Sequence, residues 1–119
     1  MAGPTVLVDA ENVRRSVWPN MTPAELLARC RAWAAGLDAD LVVVFDGRIP
    51  DGLLGEVVVH ERCTVVGTGS GSADDWIAEA ASRTRRYWLV TSDRELRRRA
   101  GDAAERTIGG GSFARQLGS

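Results

Sequence analysis

Five aspartates draw attention through their positions in the chain. Asp9 closes the apolar run Val6-Leu7-Val8, and Asp46 closes Leu41-Val42-Val43-Val44-Phe45. Asp93 follows Trp88-Leu89-Val90-Thr91-Ser92, and the pair Asp74-Asp75 opens the stretch that continues into Trp76-Ile77. Carboxylates gathered within a few ångström repel one another, so one must take a proton or a cation must enter. With oxygen donors and no His or Cys beside them, Mg²⁺ or Mn²⁺ is favoured over zinc. Such an ion activates water and offsets the charge that develops when a phosphodiester is cut. Asn12, Thr91 and Ser92 are polar neighbours able to orient water or a carboxylate.

That chemistry requires elements that bring the acids together. Unbroken β-branched runs suit strands buried on both faces of a parallel sheet, and ligands of such sheets bind beyond the strands' carboxyl ends. Strands Val6–Asp9, Leu41–Phe45 and Arg86–Thr91 would therefore aim their terminal acids into one crevice. A loop is expected from Ala10 to Asn20. The next helix has Thr22 as N-cap, Pro23 in its first turn and Glu25 completing a capping box, with Gly36 as its stop. A turn-rich loop is expected from Arg48 to Gly55, and strands at Val57–Val59 and Thr64–Val66, one or both in the main sheet. Gly67 to Ser72 reads as a flexible connector lacking the Lys-Ser/Thr of a phosphate-binding loop. Ser72 caps a helix with Asp75 in the capping-box position, and Ser92 with Glu95 repeats that spacing. Glu105–Ile108 is a last strand and Ser112–Leu117 a terminal helix. Strands alternating with helices give an α/β fold, a three-layer α/β/α sandwich with a mostly parallel central sheet, as one domain over residues 1–119.

Composition narrows the reading from another side. The 119 residues carry a formal net charge of −1, so overall charge selects no partner. All 15 basic residues are arginines, and any phosphate contact here is thus made by a planar guanidinium. Seven of them fall between Arg83 and Arg99, where a solvated helix face competes with a polyanion-binding rim. Cys30 and Cys63 have no metal-ligand spacing and read as reduced core thiols. With no membrane-length apolar run and no signal-peptide pattern, a cytoplasmic protein is expected. Asp74, Asp75 and Asp93 also have a purely structural reading as helix cap or first-turn residues. Adjacent helical residues diverge by ~100°, so Asp74 and Asp75 cannot both face one ion.

Four blocks in order resemble the NYN domains of the PIN-like ribonuclease superfamily, in their YacP-like branch. Val6-Leu7-Val8-Asp9-Ala10-Glu11-Asn12-Val13 is similar to the opening strand and its D-x-x-N-V motif. Val43-Val44-Phe45-Asp46-Gly47, Ala73-Asp74-Asp75-Trp76-Ile77 and Val90-Thr91-Ser92-Asp93-Arg94-Glu95-Leu96 resemble the blocks that follow, and Ile108 to Leu117 resembles the closing strand and helix. The resemblance implies a PIN-like fold and a metal-dependent endoribonuclease. It carries metal-centred catalytic roles onto Asp9, Asp74, Asp75 and Asp93 with Asp46 as an accessory acid, and the leading reading puts Mg²⁺ or Mn²⁺ on Asp9, Asp75 and Asp93. Asn12 and Ser92 would support them, and Arg94, Arg97 and Arg98 would hold the RNA backbone. Arg97 stands where some relatives carry a further acid, and Ala10-Glu11 where many carry Gly-Tyr or Gly-Ser. A non-catalytic RNA-binding module is therefore the alternative. Metal-dependent phosphatase chemistry ranks below both, because the basic residue that such sites use, usually lysine, is missing. The expected partner is single-stranded RNA, with the ribosome or another RNA-processing assembly as a further one, in a monomer or homodimer without membrane contact. Trp18 is a candidate for base stacking or a subunit contact, against packing under its loop.

Overall fold

The structure is a computed structural model, and it describes residues 3–47, 55–60 and 62–117. At its centre lies β1 (Thr5–Asp9), a strand apolar enough to be enclosed on every side. It pairs in parallel with β2 (Asp40–Phe45) along one edge and with β5 (Tyr87–Val90) along the other. β4 (Cys63–Gly67) adds in parallel beyond β2, and β6 (Arg106–Ile108) in parallel beyond β5. β3 (Gly55–His60) closes the β4 edge and runs antiparallel. The order β3-β4-β2-β1-β5-β6 makes five parallel strands and one antiparallel edge strand, so both short apolar runs join the main sheet. The turn-rich segment 48–54 lies outside the described residues.

Alternation along β1 explains the layers. Val6 and Val8 face one core, shared with Val43, Phe45 and Val65 and covered by Val13, Leu26, Cys30 and Phe113. Leu7 faces the other, with Val44, Val66 and Leu89 beneath Ile77, Ala81, Leu96 and Ala100. Helices α1 (Ala10–Arg15), α2 (Pro23–Ala35) and α5 (Gly110–Leu117) cover the first face, while α3 (Ala73–Arg83) and α4 (Arg94–Ala100) cover the second. The expected sandwich is the observed one. Burial holds the thiol of Cys30 protonated, pushing it up to about 12, and both cysteines are free.

Four local expectations need correcting. The first half of the expected Ala10–Asn20 loop is α1, because Ala10 and Val13 share an inward face and Glu11 pairs with Arg14 and Arg15 one turn on. Asp93, not Ser92, caps α4: its Oδ1 accepts the Leu96 N–H at 2.9 Å, and Glu95 pairs with Arg98 instead. The capping box at Thr22–Glu25 is complete, whereas at Ser72 only the forward bond from the Asp75 N–H forms. Finally, α5 begins at Gly110, two residues before the expected Ser112, since a glycine there lets the helix press against α1.

Beneath α4, the Tyr87 hydroxyl donates to the Ala100 carbonyl at 2.6 Å in a buried position. Tyr87→Phe leaves that carbonyl unpaired and is expected to cost about 1–2 kcal/mol. Urea denaturation measures it, and an unchanged midpoint would contradict the assignment.

Candidate acidic active site

The chain leaves β1 for β2 on one side and reaches β5 on the other, so the direction of travel across the sheet reverses at β1. Its carboxyl end is the switch point at which open α/β sheets bind ligands. There the surface opens into a cleft of about 500 Å³. Asp9, Asp46, Asp74 and Asp93 line it, together with Glu11, Asn12, Arg15, Ser16 and Ser92.

Three of the four cleft aspartates, Asp9, Asp46 and Asp93, are aimed by a backbone or hydroxyl group. Asp9 is buried at the end of β1, and its Oδ2 accepts the Thr91 hydroxyl at 2.8 Å. That same Thr91 oxygen accepts the Asp93 N–H at 3.1 Å, so one fully buried hydroxyl fixes two parts of the site. Asp46 Oδ1 accepts the Ala73 N–H at 2.8 Å, placing it at the amino end of α3. Asp93 holds the first turn of α4 as its cap. Asn12 Oδ1 accepts the Ser92 N–H at 2.9 Å, and the Ser92 hydroxyl accepts the Gly110 N–H at 2.8 Å. Asn12 and Ser92 thus link α1, the β5–α4 turn and α5 around the cleft.

The motif resemblance covers both Asp74 and Asp75, of which Asp75 is the expected metal ligand, and the structure places Asp74 in the cleft instead. Asp74 faces the cleft, while Asp75 turns away to Arg99 at 2.8 Å on α4. The Arg99 bond holds the Asp75 carboxyl below its ordinary range, with the Ser72 contact adding to it. The expected arginine rim is also displaced. Arg97 Nε donates to the Thr91 carbonyl at 2.9 Å, Arg98 pairs with Glu95, and neither these two nor Arg94 lines the cleft. Arg15 does line it, exposed and 3.3 Å from Glu11. The missed signal lies in α1: once Ala10 to Arg15 is read as a helix, Glu11, Asn12 and Arg15 fall on one side of it.

Electrostatics at the cleft follow from packing acids together. Asp9 rises from the ordinary aspartate value of 3.8 to about 6, mainly through burial, with Asp74 and Asp46 adding repulsion and Thr91 opposing it. Asp74 is raised too, by burial first and then by Asp93 and Asp46. A divalent cation would relieve this repulsion, and a set of hard oxygen donors fits Mg²⁺ or Mn²⁺ in kind and charge. Among the described residues, no three His, Cys, Asp or Glu side chains already sit close enough to form a finished ion site.

No known protein-family pattern matches the chain, and no curated protein matches it by sequence. Among solved structures, the fold is YacP-like. The crystal structure of a variant of Rae1 (YacP) from Bacillus subtilis superposes with a TM-score of 0.71 over 97% of this chain and 75% of that one, at 19% identity. It carries the name of the branch that the sequence blocks resemble. No helix among the described residues is long and apolar enough to cross a membrane.

Two predictions follow from this geometry. Because folding raises the Asp9 pKa from 3.8 to about 6, its contribution favours the fold below the lower value and is lost as pH rises through the upper one. At neutral pH the ionised group therefore opposes folding by roughly 2–3 kcal/mol. Asp9→Asn keeps an acceptor for Thr91 and should melt several degrees higher at pH 7.5 in EDTA, with a flatter stability profile from pH 4 to 7. An equal or lower melting temperature would contradict the burial cost. A Cβ at Gly110 would stand 2.2 Å from Asn12 Oδ1. Gly110→Ala should lose about 1–3 kcal/mol in urea, and Asn12→Ala in the same chain should recover part of it; strictly additive losses would argue against the contact.

Proposed function

We propose that the chain is an Mg²⁺- or Mn²⁺-dependent endoribonuclease. The observation that carries this reading is the convergence of Asp9, Asp46, Asp74 and Asp93 on one cleft at the switch point, with Asp9 and Asp74 raised by burial first and by neighbouring carboxylates second. The four motif blocks, which resemble a ribonuclease superfamily, suggest RNA as the substrate class, and the YacP-like fold is in keeping with them.

In this reading Asp9, Asp74 and Asp93 would hold the cation, and Asp46 would serve as an accessory acid while anchoring α3. Bound there, the cation supplies a water of lowered pKa and offsets charge on the phosphate. The chain supplies the positioning. Thr91 keeps Asp9 aimed and holds the turn that presents Asp93. Asn12 and Ser92 fix the far wall, and Arg15 is the guanidinium at the mouth that meets phosphate oxygens. A non-catalytic RNA-binding module is the second reading, supported by two features: the carboxylates are not gathered into a finished ion site among the described residues, and Arg97 stands where some members of the resembled family carry an acid.

Asp93→Asn discriminates, because asparagine still caps the helix while losing the charge. The wild-type chain should cut a mixed single-stranded RNA in Mn²⁺ and not in EDTA. The variant should melt within about one degree of it and cut at least ~100-fold more slowly. Intact RNA in every lane with binding retained selects the binding module. Unchanged cleavage by Asp93→Asn removes that residue from the site.

A further inference from the structure

Trp18 is the most exposed large apolar side chain among the described residues, 89% accessible. A single exposed apolar residue is ordinary in itself. The way this one is held is not. The Met21 N–H donates to the Arg14 carbonyl at 3.2 Å, and Arg14 donates back to the Met21 carbonyl at 2.7 Å, closing the loop between them at its base. Met21 is buried and Val17 packs against the core, so the loop is seated on both sides of Trp18 while the indole stays outside. Its exposure is built in.

The loop also starts at the edge of the cleft. Arg15 and Ser16 line the cleft, and the Trp18 backbone is two residues further on, within about 7 Å of Ser16 along the chain. A guanidinium at the cleft and, three residues further along the chain, an open aromatic face can offer a phosphate contact and a stacking surface to a strand leaving the cleft. Stacking on a side chain needs a base that is not paired or stacked in a duplex.

We infer that Trp18 seats one nucleobase of a single-stranded RNA, with Arg15 on the neighbouring phosphate, a few nucleotides from the acidic cleft. This rests on the reading of the chain as an RNA-binding protein but not on its cutting RNA. Trp18 is a binding and positioning residue for the strand, not a catalytic one.

The test is binding of a labelled twelve-nucleotide mixed-sequence RNA to the full chain in EDTA, where cleavage plays no part. Trp18→Ala should bind about tenfold more weakly, in line with the loss of one stacked base, and Trp18→Phe should recover most of the affinity. A series in which a single abasic nucleotide is moved along the RNA should weaken wild-type binding at one position and leave Trp18→Ala indifferent. Equal affinity of Trp18→Ala and wild type overturns the inference, and Mn²⁺-dependent cleavage in a parallel lane would then leave the nuclease reading standing. Wild-type chain that binds no RNA overturns it together with RNA recognition. Sedimentation in which Trp18→Ala loses self-association while RNA affinity is unchanged overturns it in favour of a contact between two copies of the chain.

Discussion

A charged group at the end of a fully enclosed strand needs a partner, and here the partner is a hydroxyl. The bond from Thr91 to Asp9 crosses from β5 to β1, the two central strands on one side of the switch point. Because the Thr91 oxygen also receives the Asp93 N–H, the turn that starts α4 is tied to the same atom. Arg97 adds a third tie, closing on the Thr91 carbonyl. Two acids from distant parts of the chain are therefore positioned through one buried residue.

A second set of bonds, from Asn12 through Ser92 to Gly110, does for the opposite wall what Thr91 does for the floor. It joins three segments that also share core contacts, and it uses the main chain at two of its three points. Side chains that resemble catalytic accessories in a motif are, in the folded chain, also what holds the wall together. Unmet hydrogen bonds are correspondingly absent: among the described residues, no buried side-chain nitrogen or oxygen lacks a partner.

Sheet and site location were legible because they depend on hydrophobic runs that stop at an acid. A run such as Leu41–Phe45 identifies a buried parallel strand, and topology then sends its end to the crevice. The Thr22–Glu25 helix start was legible for a similar reason, since the whole signal lies within four residues. What was hidden depends on partners far away in sequence. Asp74 and Asp75 are chemically identical, and only Arg99, on another helix, decides which faces the cleft. The cap at Asp93 likewise required knowing that the Ser92 hydroxyl is taken by Gly110, 18 residues later. Helix α1, at six residues, carried too short a period to separate from a loop.

Asp46 and Asp93 each serve the first turn of a helix, one at α3 and the other at α4. The span between these two carboxylates is therefore gauged by how closely α3 and α4 lie side by side. Small residues on both helices, Ala81 and Ala100 among them, share the core beneath these helices, and the Asp75–Arg99 pair bridges the helices on the surface. Helix packing works here as a caliper for the acidic cleft. A methyl group added or removed well below the surface would reset the opening, with every cleft residue unchanged in identity. Chains with identical motifs could in this way differ in the width of the cleft.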